Sequence, residues 1–276
     1  MLITRRQALA GLATGTAAAG VGPNPLLAEA ALGSRNVALL SNALCVLTPR
    51  AEEGPFYFDP KLKREDITEG RKGVPLKLLL QIVNAGSCAP IADARIDVWH
   101  ADAFGKYSGY SGQSDSGSVS TKGQSFLRGT QFTDAAGLVH FSTIYPGWYE
   151  GRTPHVHLKI FLAEKTVLTS QLYFPDALSE FIYQNAAPYN RRKRRRDTSN
   201  GNDGVLSDSG GGHESFCSIK EEADHYQASL VIGVKDEAEV SRDFRGPPPP
   251  DGPPPGGREG PPLQRPRTGL IPGVKS

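Results

Sequence analysis

The sequence predicts an all-β sandwich with long loops and little helix. Short segments of period-two apolar alternation recur along the middle of the chain. Gly-, Ser-, Asn- and Asp-rich turns separate them, and a single stretch has helical character. Residues 74–83 (Val-Pro-Leu-Lys-Leu-Leu-Leu-Gln-Ile-Val) read as a strand ending in the turn cluster Asn84-Ala-Gly-Ser. Residues 94–100 alternate and form the next strand. Residues 105–123 are too rich in Gly and Ser to be anything but loop. A turn at 132–137 precedes a strand at 138–144. Residues 154–162 and 166–174 make a hairpin across Ala163-Glu-Lys165. Residues 176–183 suit a short helix, and 226–234 a last strand.

The ends of the 276-residue chain fall outside this pattern. Residues 1–30 read as an export signal. Arg5-Arg6 precedes a mildly apolar stretch at 8–21, and Ala28-Glu29-Ala30 offers a small-x-small cleavage site. The paired arginine suggests twin-arginine export to the periplasm or cell exterior. The apolar stretch is too short to span a membrane. Residues 246–276 hold 11 of the 22 prolines, so this tail cannot bury a core and is expected to be disordered. Residues 31–245 remain for one β-sandwich domain. The net charge of +2 is too small to imply a nucleic-acid partner, and the run Arg191-Arg192-Lys193-Arg194-Arg195-Arg196 reads as a solvated loop. Of three cysteines, Cys45 and Cys88 are expected to pair in an oxidising compartment, leaving Cys217 free in a loop.

The chemistry concentrates in Tyr149-Glu-Gly-Arg-Thr-Pro-His155-Val-His157, with Phe-Gly-Lys-Tyr107 about forty residues upstream. His155 and His157 stand at i and i+2 within the alternation Val156, Leu158, Ile160, Leu162. They therefore share one strand face while the aliphatic residues fill the other. Two imidazoles and two phenolates make an N2O2 set of charge −2, suited to a hard trivalent ion such as Fe(III) and poorly to copper(I). Each residue also has a plainer reading. His-x-His is common on strands, Tyr149 could cover a sandwich edge, and Tyr110 is as available a phenol as Tyr107. The combination is what argues for metal, with Arg152 inside the Tyr149–His155 turn.

These residues sit in wider stretches: Glu53-Gly-Pro-Phe-Tyr57, Asp97-Val-Trp-His100, Gly105-Lys-Tyr107, Thr133-Asp-Ala-Ala-Gly137, Tyr145-Pro-Gly-Trp-Tyr149, Arg152-Thr-Pro-His-Val-His157 and Thr169-Ser-Gln-Leu172. In them the chain resembles the intradiol ring-cleavage dioxygenases, the catechol and protocatechuate dioxygenase family, and within it the exported single-chain branch. The likeness runs from about Cys45 to Asp176. It departs at Ala101, where close relatives are expected to carry cysteine, and in the basic run and proline tail. The resemblance implies non-haem Fe(III) held by Tyr107, Tyr149, His155 and His157, with Tyr149 and His155 axial. It implies that catechol-type substrate and O2 give a muconate-type dicarboxylate. Tyr149 would take a substrate proton, Arg152 would stabilise charge building on the ring, and Gln171 would orient Arg152. The family includes dimers, so a homodimer is among the states it allows. Two other classes compete: a non-catalytic transthyretin-like or carbohydrate-binding sandwich, and a His-x-His zinc or copper enzyme.

Overall fold

The computed structural model describes residues 45–59, 61–113 and 118–237, so the expectations for 1–30 and 246–276 lie outside the described residues. Among the described residues eight strands form two four-stranded sheets. They are β1 (Pro75–Asn84), β2 (Arg95–Trp99), β3 (Arg128–Phe132), β4 (Leu138–Ile144), β5 (His155–Leu162), β6 (Lys165–Tyr173), β7 (Ser218–Glu221) and β8 (Tyr226–Val234). The first sheet runs β4-β1-β8-β7 and the second β3-β2-β5-β6. All pairings are antiparallel except β1 with β8. Among the described residues helix is confined to α1 (Asp176–Asn185), α2 (Gly204–Asp208) and three single 3-10 turns. The all-β sandwich expected from the sequence is what the chain adopts. Among the described residues no helix is long and apolar enough to cross a membrane.

Period-two alternation makes the core. Leu76, Leu78, Leu80 and Ile82 of β1 point inward with Val139 and Phe141 of β4. They meet Ile96 and Val98 of β2, Val156, Leu158 and Ile160 of β5, and Leu168 and Leu172 of β6. Each is at most 3% exposed, and burying such a side chain contributes about 1.5–3 kcal/mol. The same alternation sends the intervening residues of the second sheet to its outer face. Register then aligns them: Trp99 opposes His157, His157 opposes Gln171, and His155 opposes Tyr173. One row across three strands is therefore tryptophan, histidine, glutamine.

Most expected strands appear within a residue or two of their sequence limits. Two do not follow from pattern. β3 (Arg-Gly-Thr-Gln-Phe) has no apolar alternation, and it pairs with β2 with its first three residues buried and Phe132 exposed. β7 is a four-residue edge strand of mostly exposed residues.

Cys45 and Cys88 form a disulfide with Cα atoms 5.3 Å apart. The bond anchors an arm that runs from β8 of the first sheet to β6 of the second: Thr48 N–H donates to the Gly233 carbonyl at 3.0 Å, Ala51 N–H to the Thr169 carbonyl at 3.0 Å, and Ser170 Oγ to the Pro49 carbonyl at 2.7 Å. This arm delivers residues 53–58 onto the second sheet's outer face. Cys217 is free as expected but is no surface thiol. It is 5% exposed within the core, and burial pushes its pKa up to about 12.

The basic run is a loop with Arg191, Lys193, Arg194 and Arg195 exposed, as expected, but Arg192 and Arg196 are partly buried. Arg192 donates to the Trp148 carbonyl and lies 3.7 Å over its ring, and Arg196 pairs with Asp176 at 2.5 Å with only 9% of its side chain exposed. Arg194 forms a surface pair with Glu150 at 3.1 Å. Arg192 and Arg194 thus fasten the run to the segment that carries Tyr149, and Arg196 fastens it to α1.

Candidate metal centre

His155 and His157 point off the outer face of β5, as their spacing requires, yet each is only 2% exposed. An aromatic layer covers them. Trp99 stacks on His157 with centroids 4.8 Å apart and planes 9° from parallel, and Phe56 stacks on Tyr107 at 4.5 Å. His155 Nδ1 lies 2.7 Å from the Thr153 carbonyl, which can only accept, so the proton sits on Nδ1 and the Nε2 lone pair is bare. His157 Nδ1 is buried with no hydrogen-bond partner among the described residues.

Tyr107 comes from the long loop after β2. Gln113 Oε1 accepts from its N–H at 3.0 Å, and Thr121 Oγ1 donates to its carbonyl at 2.6 Å. Beneath it, Arg128 donates to Ser108 Oγ at 2.8 Å and to the Ser108 carbonyl at 2.9 Å. Tyr149 ends the segment after β4 and closes a tight turn in which the Arg152 N–H donates to its carbonyl at 3.1 Å. Gly105 lets the two tyrosine segments meet. Its φ is +77°, and a Cβ there would stand 2.3 Å from the Trp148 carbonyl oxygen and 3.2 Å from Tyr149 Cβ.

Four polar atoms converge. Tyr107 Oη is 3.3 Å from His155 Nε2 and 3.1 Å from His157 Nε2, the two Nε2 atoms are 3.0 Å apart, and Tyr149 Oη is 3.2 Å from His155 Nε2. Ligands bonded to one ion at roughly 2.0–2.1 Å and angles near 90–110° stand roughly 2.9–3.4 Å from each other, so these separations fit a shared metal. Two neutral nitrogens and two phenol oxygens form the donor set expected for a hard, highly charged ion. Tyr110 is not part of it, because its hydroxyl donates to the Tyr57 carbonyl at 2.9 Å. Among the described residues no group of three His, Cys, Asp or Glu side chains could hold a metal, so any centre here needs the phenols. His100 bonds Thr143 Oγ1 at 2.7 Å, and burial pulls its pKa down to about 4.

Burial dominates the electrostatics. It lowers the His155 and His157 imidazoles well below their ordinary pKa, with the Arg152 charge adding to it, so both stay neutral at any ordinary pH. Burial likewise raises both phenols, and in Tyr149 the Arg152 charge works against that rise. A bound cation favours the phenolates and reverses this balance.

Arg152 stands beside the quartet, held at three points. Its Nε donates to Asp203 Oδ2 at 2.9 Å, one terminal nitrogen reaches Tyr149 Oη at 3.4 Å, and the other donates to Gln171 Oε1. Gln171 is fixed in turn by the Glu52 carbonyl at 3.0 Å and the Tyr173 hydroxyl at 2.9 Å.

A family model described as Dioxygenase matches residues 53–194. The structure is similar to an intradiol ring-cleavage dioxygenase from Tetranychus urticae, with 32% identity and a TM-score of 0.65 over 71% of this chain and 98% of that one. The chain belongs to the intradiol ring-cleavage dioxygenases. It is also similar to the dioxygenase domain of a dioxygenase–carbohydrate-binding protein fusion from the bacterium Streptomyces sp. SirexAA-E, with 25% identity and a TM-score of 0.51 over 68% of this chain and 98% of that one. A 3-chlorocatechol 1,2-dioxygenase from Rhodococcus opacus 1CP shares the fold, with 20% identity and a TM-score of 0.50 over 75% of this chain and 77% of that one.

The non-catalytic reading is thereby not favoured, and the chain is an oxidoreductase of the dioxygenase type by family. The structure brings together every site residue singled out in the sequence, and it adds two. Arg128 is 1% exposed, lies 4.2 Å over the Phe58 ring, and has its pKa pulled down to about 10 by burial. Nothing in Phe-Leu-Arg-Gly marks it as buried. Asp203 sits in Asn-Asp-Gly, which signals a helix start and no more; its side chain is fully buried against this intradiol dioxygenase's arginine.

Proposed function

We propose that this dioxygenase uses Fe(III), held by Tyr107, Tyr149, His155 and His157, to cleave a catechol-type aromatic between its two hydroxyl-bearing carbons. Both atoms of O2 enter the product, so a catechol and one O2 give a muconate-type dicarboxylate with no other reactant. The convergence of the four polar atoms at 3.0–3.3 Å carries this reading. Bound there, ferric iron would supply Lewis acidity and a one-electron redox partner for an electron-rich ring facing O2.

The residues have separable tasks. Trp99 and Phe56 pin the His157 and Tyr107 rings and keep water from them. Tyr149 is half-buried and the nearest of the four to Arg152, so its Oη is the atom placed to take a proton from an arriving catechol hydroxyl. Arg152 presents a fixed positive charge toward the same spot, where negative charge develops on the substrate. Gln171 holds one edge of that guanidinium. Lys159, which shares the outer face of β5 with the histidines, is paired with Glu53 and lies 4.7 Å over the Tyr57 ring. With that cation already engaged, an uncarboxylated catechol is favoured over a ring bearing a carboxylate.

The decisive experiment is a visible spectrum of the iron-loaded protein, followed by oxygen uptake with a panel of catechols. A tyrosinate-to-iron band that shifts on adding catechol, with one O2 consumed per ring opened, is the expected result. Colourless iron-replete protein, or no uptake with any catechol, would sink the assignment.

Export is part of the proposal, supported by the Arg5-Arg6 segment and by a disulfide suited to an oxidising compartment. Changing Arg5-Arg6 to Lys-Lys is expected to retain the protein in the cytoplasm, as measured by cell fractionation. Unchanged export would exclude the twin-arginine route and leave the enzyme reading intact.

A further inference from the structure

The stretch matched by the family model ends at residue 194, yet a later segment closes the back of the site. Asp197 Oδ1 accepts from the Gly151 N–H at 3.3 Å, and Asn200 Oδ1 accepts from Thr153 Oγ1 at 2.7 Å. Asn200 also donates to the Phe174 carbonyl at 2.8 Å, which ties the segment to the end of β6. Asp203 reaches furthest in. Its Oδ2 accepts from Arg152 Nε at 2.9 Å and from the Thr153 N–H at 2.7 Å, and its Oδ1 caps α2 through the Leu206 N–H at 2.9 Å. The Asp203 side chain is fully buried, and that of Arg152 is 12% exposed.

We infer that Asp203 is a positioning residue for the intradiol reaction, acting through Arg152. The inference rests on the role given to Arg152 above. A guanidinium is a planar fork whose aim is set by which of its nitrogens are occupied. Gln171 takes one terminal nitrogen, which alone leaves the plane free to swing about that contact. Asp203 takes Nε, and the two anchors together fix the plane so that the remaining nitrogen faces Tyr149 Oη. The same carboxylate oxygen holds the Thr153 N–H, and the Thr153 carbonyl holds His155 Nδ1. One buried carboxylate thus sets the Arg152 side chain and steadies the turn leading into the histidine pair. Because Asp203 contributes no atom to the convergent quartet, its influence falls on orientation and leaves metal retention alone.

The test is a double-mutant cycle in the iron-loaded full chain. Asp203→Asn keeps the shape but withdraws the charge, and Asp203→Ser keeps a hydroxyl to cap α2 while removing the group that reaches Arg152. Each is expected to lower kcat for ring opening about tenfold or more, the scale of losing a group that orients a site residue. Iron content, the charge-transfer band and the catechol KM should stay near the wild-type values. In an Arg152→Ala background neither change should lower kcat further, since the residue it acts through is gone. A wild-type kcat in both Asp203 variants overturns the inference. So does an equal loss with and without Arg152, or loss of iron, or failure of both variants to fold, each of which makes Asp203 a structural clamp. Wild-type protein that consumes no O2 with any catechol would instead overturn the functional reading itself.

Discussion

Tyr107→Phe is expected to abolish ring cleavage and to strip most of the iron while leaving the fold intact. The ring stays where it is, 1% exposed, stacked on Phe56 at 4.5 Å and edge-on to Tyr149 at 5.6 Å. Only the hydroxyl is lost, and its neighbours are His155 Nε2 and His157 Nε2. Stability should change by no more than about 1 kcal/mol, the net worth of one hydrogen bond. Activity should fall by on the order of a thousandfold or more, above the 10–100-fold seen when only a residue supporting a ligand is removed. Metal analysis, the visible band and oxygen uptake measure the three effects. Tyr110→Phe is the matched control. It gives up the bond to the Tyr57 carbonyl and touches none of the four convergent atoms, so iron and turnover should survive. Full iron occupancy with normal turnover in Tyr107→Phe would mean that the phenol ligand has been misassigned.

The contrast between Tyr107 and Tyr110 also shows where sequence reasoning stops. Alternation in β5 is enough to put His155 and His157 on one face, because a strand repeats every two residues whatever surrounds it. Which phenol faces them depends on how a Gly- and Ser-rich loop is pinned. That pinning falls to Gln113, Thr121 and Arg128, which follow in the same stretch of chain but carry no periodic mark. The face away from the core is also drier than alternation suggests. Phe56, Tyr57, Trp99, Tyr107 and Tyr149 build a second, smaller cluster there. β3 escapes notice for a related reason. Its first three residues are buried in succession and so show no polar alternation, and Arg128 finds its partners in Ser108 and the Phe58 ring face. Asp203 is the clearest case. An Asp before Gly-Val-Leu announces a helix cap, and it does serve as one, but its other carboxylate oxygen reaches back some fifty residues to Arg152.

Arg152→Ala is expected to slow the oxygen-dependent step about a hundredfold, the effect of roughly 3 kcal/mol of lost electrostatic stabilisation. Iron should remain, because all four convergent atoms are untouched. Catechol should still bind and shift the charge-transfer band, so stopped-flow mixing with O2 will find the loss in the later step. On sequence grounds alone, an arginine in a loop beside the site should be removable without harm to the fold. The buried pair changes that expectation. Truncating Arg152 leaves the fully buried Asp203 carboxylate without its cation, and breaking such a pair typically costs about 3–5 kcal/mol. The Thr153 and Leu206 N–H donors remain on that carboxylate, which places the loss toward the lower end. Arg152→Ala/Asp203→Asn removes the stranded charge and should recover part of the stability while leaving the rate as low as in Arg152→Ala. Stability and rate therefore separate across the pair: urea melts follow the uncompensated carboxylate, and single-turnover rates follow the missing guanidinium. If Arg152→Ala loses iron, the arginine serves chiefly to clamp the ligand turn. If it turns over at the wild-type rate, its charge takes no part in the chemistry.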